Sequence, residues 1–367
     1  MRNQRRMKHA AHSIRIAGVF LAVALCGCRS IGPGTISRDR LDYSEAIADS
    51  WKHQILLNIV KLRYMDTPIF LDVAQIVSGY TLETNVNVMG QFSPESLRGD
   101  SFAGGGVSGT LTDRPTISYT PLTGKKFLRG LLDPVPPQSI FCLLQAGYDA
   151  TFMLGLSLDS FNGLSNAAFR SGRTRPADPE FVRVITLWQN VQDAGAVGMG
   201  VGDTTGSQPP PVMLFFRPER RPPEIVAQVM EIEKLLKLPK DTHSFRLVYS
   251  PVRGRGQEIA VGSRSIIQML NALAMLVEVP EADIQEKRTV PAADMSVWTD
   301  APLRIRCTAE KPKDDAFVAI QYRHHWFWIA DQDWKSKRTF SAIMFLFTLN
   351  ESSTVEERLP LLTIPTS

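Results

Sequence analysis

The side chains in this 367-residue chain that belong to chemically capable types can be tested by their spacing. His324 and His325 are adjacent, and in an extended strand neighbouring side chains leave on opposite faces. The pair therefore cannot share one metal by local geometry, and no HxxxH, HxH or DxH partner accompanies it. Gly155-Leu156-Ser157-Leu158-Asp159 approaches the GxSxG nucleophile elbow, but Asp159 stands where a second glycine would relieve crowding at the sharp turn. Gly124-Lys125 fails as a phosphate loop twice, with Tyr119 in place of the first glycine and Lys126 in place of Ser or Thr. Gly104 to Gly106 lacks the strand-to-helix context that phosphate cradling requires. Cys142 is flanked by bulky apolar residues, with no charged activator nearby in sequence to favour a thiolate. Asp331-Gln332-Asp333 opens like a calcium loop, but Lys335 and Ser336 stand where an oxygen ligand and a glycine are needed. Asp331 or Asp333 reads better as the cap of a following helix. No catalytic residue, cofactor or metal site is expected on these grounds.

Binding chemistry is better represented. Trp326, Phe327 and Trp328 form an aromatic cluster that could stack on a sugar ring or nucleobase, with core packing as the ordinary alternative. Arg253, Arg255 and Arg264 gather basic charge around one turn, where an acidic ligand or plain solvation would suit them. Trp326, Trp328, Arg253 and Arg255 are the candidate ligand surface.

Cys28 follows a different pattern. Ahead of it lie Arg2, Arg5, Arg6, Lys8 and Arg15 with no acidic residue, then an apolar run from Ile16 to Leu25 and the small Gly27. These are the three parts of a cleaved export signal over residues 1–27. Ten apolar residues rise only about 15 Å as a helix, half the hydrocarbon thickness, which argues against a permanent span. Leu25-Cys26-Gly27-Cys28 resembles the lipobox of bacterial lipoproteins, in which the cysteine thiol takes a diacylglyceryl group and becomes the new N-terminus. The resemblance implies lipidation of Cys28 and a membrane partner through that anchor. Arg29, where an Asp would mark inner-membrane retention, points by analogy to the outer membrane facing the periplasm.

Five of the 41 basic residues precede Cys28, which leaves 36 against 37 acidic ones in the mature chain. A near-neutral protein gives no electrostatic case for nucleic acid, so no nucleic-acid partner is expected. Cys142 and Cys307 would then lie in an oxidising compartment, where pairing is chemically open and sequence does not decide it.

The elements that must position these residues read as α+β: a mixed, largely antiparallel sheet with packed helices, plus a long Gly-rich β-hairpin. Residues 28–36 form a lipidated tether, and Ser37 or Asp39 caps a helix to Tyr64 with the stripe Ile47, Trp51, Ile55, Ile59 and Leu62. The hairpin occupies residues 80–111, with period two over Tyr80 to Phe92 and a glycine-rich second arm from Ser101 to Leu111. Helices are expected over Lys125 to Leu132, Pro136 to Tyr148 and Asp178 to Gln192. The N-terminal α+β region is thus 37–193, and residues 194–211 are a Gly/Pro loop or linker. The C-terminal α+β region, 212–367, packs on the first. It holds strands at Val212 to Phe216, Phe245 to Tyr249, Gln257 to Val261, Leu303 to Thr308, Ala316 to Tyr322 and Trp326 to Ala330, with a last strand at Leu359 to Ile364. Helices fall at Pro223 to Leu238, Arg264 to Val279 and Trp334 to Leu349.

Three stretches, Ile31-Gly32-Pro33 with the helix end Leu57 to Tyr64, Ile117 to Gly124, and Trp326 to Ala330 with Ser336 to Phe340, resemble a group of uncharacterised proteobacterial lipoproteins. The resemblance spans nearly the whole mature chain and implies envelope localisation and fold continuity, with no activity attached. The expected function is a non-enzymatic envelope lipoprotein that binds or scaffolds other envelope proteins. One alternative is a subunit of an oligomeric outer-membrane channel or secretion complex, since one arm of the hairpin matches the 9 to 11 residues of a membrane β-strand. A second is an enzyme whose site is assembled from distant residues.

Overall fold

The computed structural model describes residues 33–77, 80–91, 102–113, 116–121, 125–170, 173–202, 210–218, 221–240, 242–291, 303–313 and 315–352. The expected signal peptide, Cys28 and the strand at Leu359 to Ile364 lie outside the described residues. The chain is α+β, with a mostly antiparallel six-stranded sheet and a second, three-stranded sheet. It divides into two units. The described residues up to Ala48 join Asp72–Thr120 in one, and Asp49–Leu71 joins the residues from Pro121 onward in the other.

Helix α1 runs Pro33–Arg63. The expected tether and caps are corrected here: Pro33 to Ile36, Ser37 and Asp39 all lie inside the helix. Proline in a first turn costs the helix no hydrogen bond, since that N–H has no partner there. The helix stops where Met65 takes φ 59°. Asp66 N–H then donates to Lys61 O and Met65 N–H to Leu62 O, a Schellman closure.

In the first unit β1 (Leu71–Val77) neighbours β4 (Thr116–Pro121). There β2 (Tyr80–Gln91) also pairs antiparallel with β3 (Phe102–Asp113), in unbroken register from Tyr80↔Asp113 to Gln91↔Phe102.

The second unit carries the core and a short antiparallel pair, β7 (Ala168–Arg170) with β8 (Arg173–Arg175). Its larger sheet has the order β6 (Leu164–Ser165), β5 (Leu158–Phe161), β12 (Glu258–Ser263), β11 (Ser244–Tyr249), β10 (Val212–Phe216), β9 (Val197–Val201). Within the stretch 194–211, expected as a loop or linker, Val197–Val201 is therefore a strand, and the described residues on both sides of it belong to the same unit. Its glycines admit a neighbour: a Cβ on Gly198 would stand 2.5 Å from the Phe215 ring. The strands joined by the Arg253 to Gly256 turn run parallel, Arg246↔Glu258 to Tyr249↔Val261. The connection must consequently cross back along the sheet within residues 250–257. Asn162 holds it there, accepting from Gly254 N (3.0 Å) and Ala260 N (3.1 Å) while donating to Leu236 O (2.7 Å).

Helices α2 (Lys125–Leu132), α3 (Pro137–Gln145), α4 (Ala150–Ser157), α5 (Pro179–Asp193), α6 (Pro223–Leu235) and α7 (Ile266–Ala274) belong to this unit, as does the short α8 (Glu281–Gln285). In α5, Phe181, Val184, Ile185 and Trp188 recur at helical spacing and are all buried. Trp188 sits at the centre, its ring 5.2 Å from Phe161, 5.5 Å from Phe216 and 5.8 Å from Phe141.

The smaller sheet has the order β13 (Arg306–Thr308), β15 (His325–Ala330), β14 (Ala316–Tyr322), and helix α9 (Trp334–Ser352) follows it. Strands β14 and β15 are joined by a two-residue turn in which Arg323 (φ 45°) and His324 (φ 66°) are both left-handed. That is the geometry of a primed hairpin turn, which normally selects Asn or Gly.

Candidate functional site

Strand β15 alternates in burial from Trp326 to Ile329. Phe327 and Ile329 are buried in the core, while Trp326 and Trp328 lie half-buried on the opposite, outer face. Cross-strand register brings Arg306 beside Trp328, and its guanidinium lies 5.1 Å over that ring. Lys311, just beyond β13, puts its ammonium 5.6 Å over Trp326. Each indole thus presents one face to a cation, an electrostatic attraction between positive charge and ring quadrupole.

Beside Trp328 the sheet opens into a hollow of about 350 Å³, lined by Arg304, Arg306, Ala330, Gln332, Asp333, Trp334 and Lys335. Two walls meet there, the segment leading into β13 and the first turn of α9. They are tied by Ser336, whose hydroxyl accepts from Arg304 N–H (2.9 Å) and donates to Asp333 Oδ2 (2.7 Å). Asp333 Oδ1 also accepts from Ser336 N–H at 3.0 Å and so caps α9. Asp331, the other expected cap, instead pairs with Lys337 at 2.6 Å.

The structure separates the four residues expected to share one ligand surface. Trp326 and Trp328 share a face, but Arg253 and Arg255 belong to the β11–β12 connection of the other sheet. Arg253 donates to Lys237 O and packs its Cβ near Gly163, so it holds the crossing loop. Arg255 is exposed, with its backbone N–H on Glu258 Oε2. Arg264 is buried, donating to Gly155 O, Leu156 O and Ala167 O. No common basic patch forms from the three, because each guanidinium follows its own segment.

The two histidines are also corrected. His324 lies in the turn and only His325 begins the strand, so the opposite-face argument does not apply to them. Among the described residues no group of three or more His, Cys, Asp or Glu could hold a metal ion. Ser157 is the last residue of α4 and fully buried, away from any turn resembling an elbow. Cys142 and Cys307 are free thiols. Burial, reinforced by the carboxylates of Glu278 and Asp283, pushes the Cys307 thiol up to about 11.

Behind the sheet a polar network locks the end of α1. Arg63, fully buried, donates to Thr289 Oγ1 (2.8 Å), Val290 O (2.8 Å) and Val277 O (3.3 Å). The Tyr64 hydroxyl donates to Asp283 Oδ2 at 2.6 Å. Burial first, then that carboxylate, drives the Tyr64 hydroxyl well above the usual tyrosine range. At the hairpin turn, Asp66 accepts from the Tyr322 hydroxyl and from Arg323, which stacks over Tyr64 at 4.9 Å. This network reads as architecture, since it ties the end of α1 to residues between 214 and 227 positions away in sequence. A slot of about 40 Å³ beside Trp188 and Gln192 has room for water only.

Arg304, Arg306, Lys311 and Trp334 were not singled out in the sequence. A signal existed in the alternation Leu303-Arg304-Ile305-Arg306, where the buried Leu303 and Ile305 turn both arginines outward. Compared with known proteins, the chain matches no family model, no curated protein and no solved structure.

Proposed function

We propose that this chain is a lipid-tethered cell-envelope protein that binds or scaffolds another envelope component without transforming it. The tryptophan face of the three-stranded sheet is its ligand surface. The observation that carries the reading is the pair Trp326 and Trp328, held half-exposed on one face with a cation over each ring and a polar hollow alongside. Aromatic platforms of this kind contribute large contact area at low entropic cost. Tethering rests on the signal-like residues 1–27 and the lipobox-like Leu25-Cys26-Gly27-Cys28. No helix among the described residues is long and apolar enough to cross a membrane.

Two variants test the two halves. Cys28→Ala should abolish acyl labelling and release the protein from membranes; continued labelling with unchanged attachment would sink the anchor. Trp326→Ala with Trp328→Ala should remove a co-purifying envelope component while the protein stays folded and membrane-bound. Retention of every such component would sink the ligand surface.

A second reading is favoured by the β2–β3 register. It sets Leu82 opposite Leu111 and Val86 opposite Val107 and, between these pairs, Glu83 opposite Thr110 and Asn85 opposite Ser108. A two-stranded ribbon is marginal alone in water, and several copies with such alternating apolar and polar pairs could close a shared barrel. A ring of protomers in mild detergent would support this reading; a monomer would dismiss it.

A further inference from the structure

We infer that the hollow beside the tryptophan face holds a phosphate-bearing group, clamped by Arg304 and Arg306. The inference rests on the reading of that face as a ligand surface and names what binds there. Of the charged side chains lining the hollow, Arg304, Arg306 and Lys335 are cationic and Asp333 alone is acidic. Both Asp333 oxygens are engaged by Ser336, so that carboxylate is occupied as a helix cap. Neither Arg304 nor Arg306 has a carboxylate partner among the described residues, and both line the same hollow. An anion held there would offset two unpaired positive charges.

Phosphate suits the geometry better than carboxylate does. Arg304, in the segment leading into β13, and Arg306, the first residue of that strand, are two positions apart and both line the hollow. Each fork offers parallel N–H donors, and a phosphate has enough oxygens to accept from both, whereas a carboxylate is satisfied by one. The Arg306 fork is already oriented by stacking on Trp328, and the Arg304 backbone is pinned by Ser336, so little is lost in ordering them. Trp334, 63% exposed, walls the other side. At about 350 Å³ the hollow exceeds a bare phosphate and reaches the lower end of small-ligand sites, room for a phosphate with a short polyol or sugar attached. A soluble phosphoester and a phospholipid headgroup share this chemistry.

The experiment titrates the full-length protein in mild detergent, read by tryptophan fluorescence. The probes are inorganic phosphate, glycerol 3-phosphate, phosphatidylcholine vesicles with and without phosphatidylglycerol, and neutral methyl glucoside. Saturable binding of a phosphate probe is expected, with Arg304→Ala and Arg306→Ala together weakening it tenfold or more and both Arg→Lys changes restoring part of it. Lys234→Ala with Lys240→Ala, an equal charge change elsewhere, should leave it unaltered, and circular dichroism confirms that each variant is folded. Glycerol 3-phosphate binding identifies a soluble phosphoester; a response confined to phosphatidylglycerol vesicles identifies a headgroup. Phosphate binding that survives loss of both arginines overturns the inference. Methyl glucoside binding without any phosphate response overturns it while sparing the ligand surface, and no response to any probe removes both.

Discussion

Asn162 offers the sharpest test of the fold, because three hydrogen bonds from one side chain hold a parallel crossover made by residues 250–257 alone. Parallel neighbours usually need a dozen or more connecting residues, so this short return depends on its anchors. Asn162→Ala would leave Leu236 O, Gly254 N–H and Ala260 N–H without partners in a largely buried setting. At about 1 kcal/mol per orphaned group the loss is about 3 kcal/mol. Asn162 also has φ 47°, which asparagine tolerates and alanine does not, adding about 1 kcal/mol. Asn162→Gly loses the same bonds without that strain, so it should be about 1 kcal/mol less damaging than Asn162→Ala. Urea unfolding of both variants measures the two quantities, and limited proteolysis should show new cleavage within 250–257. A cost below about 1 kcal/mol for Asn162→Ala, or a glycine variant less stable than the alanine one, would refute the reasoning.

Three further outcomes are expected. The Tyr64 hydroxyl, raised by burial and by Asp283, stays protonated in the folded state where the unfolded chain has lost its proton. That contribution should be full below about pH 10 and be lost as pH rises beyond it, so urea midpoints for Tyr64→Phe should show a shallower alkaline slope than the parent, the rest of the slope coming from the raised Cys307 thiol and Tyr322 hydroxyl. With its thiol near 11, Cys307 is thiolate in roughly one molecule per thousand at pH 8, so alkylation followed by mass spectrometry should find it about a hundredfold slower than an ordinary exposed thiol. Labelling of Cys307 at the ordinary rate would contradict this. His324→Gly should stabilise the chain by about 1 kcal/mol in thermal unfolding by relieving the left-handed turn; an unchanged or lower midpoint would show that the turn carries no strain.

Periodicity carried much of the second unit. The alternation in Ala316 to Tyr322 and the helical spacing of Phe181, Ile185 and Trp188 report one-sided burial, and both elements stand where they were expected, although Val182, read as part of that helical face, is only half-buried. Glycine misled where its role was packing: Gly198 and Gly200 suggested a linker, yet they make room for the Phe215 ring inside a sheet. Strand direction was hidden as well, because Arg253-Gly254-Arg255-Gly256 is equally suited to a tight turn and to a returning crossover. The site was half legible. Trp326 and Trp328 announce themselves by type, whereas Arg304 joins them only through Ser336 of α9, a contact between residues 32 apart in sequence. Arg253 and Arg255 look alike in sequence to Arg304 and Arg306. What separates the two pairs is tertiary: Arg253 is bound to Lys237 O, and Arg304 faces a hollow.

The central claim, a tethered protomer that binds through its tryptophan face, is tested most directly by extracting the lipidated protein from its own envelope in mild detergent. Native mass spectrometry then gives the protomer number and identifies everything bound. The account predicts one acylated protomer carrying a bound component that disappears when Trp326 and Trp328 are replaced by alanine. A ring of protomers that persists through those substitutions, with nothing bound at the tryptophan face, would contradict it and transfer the function to the strands around residues 80–111.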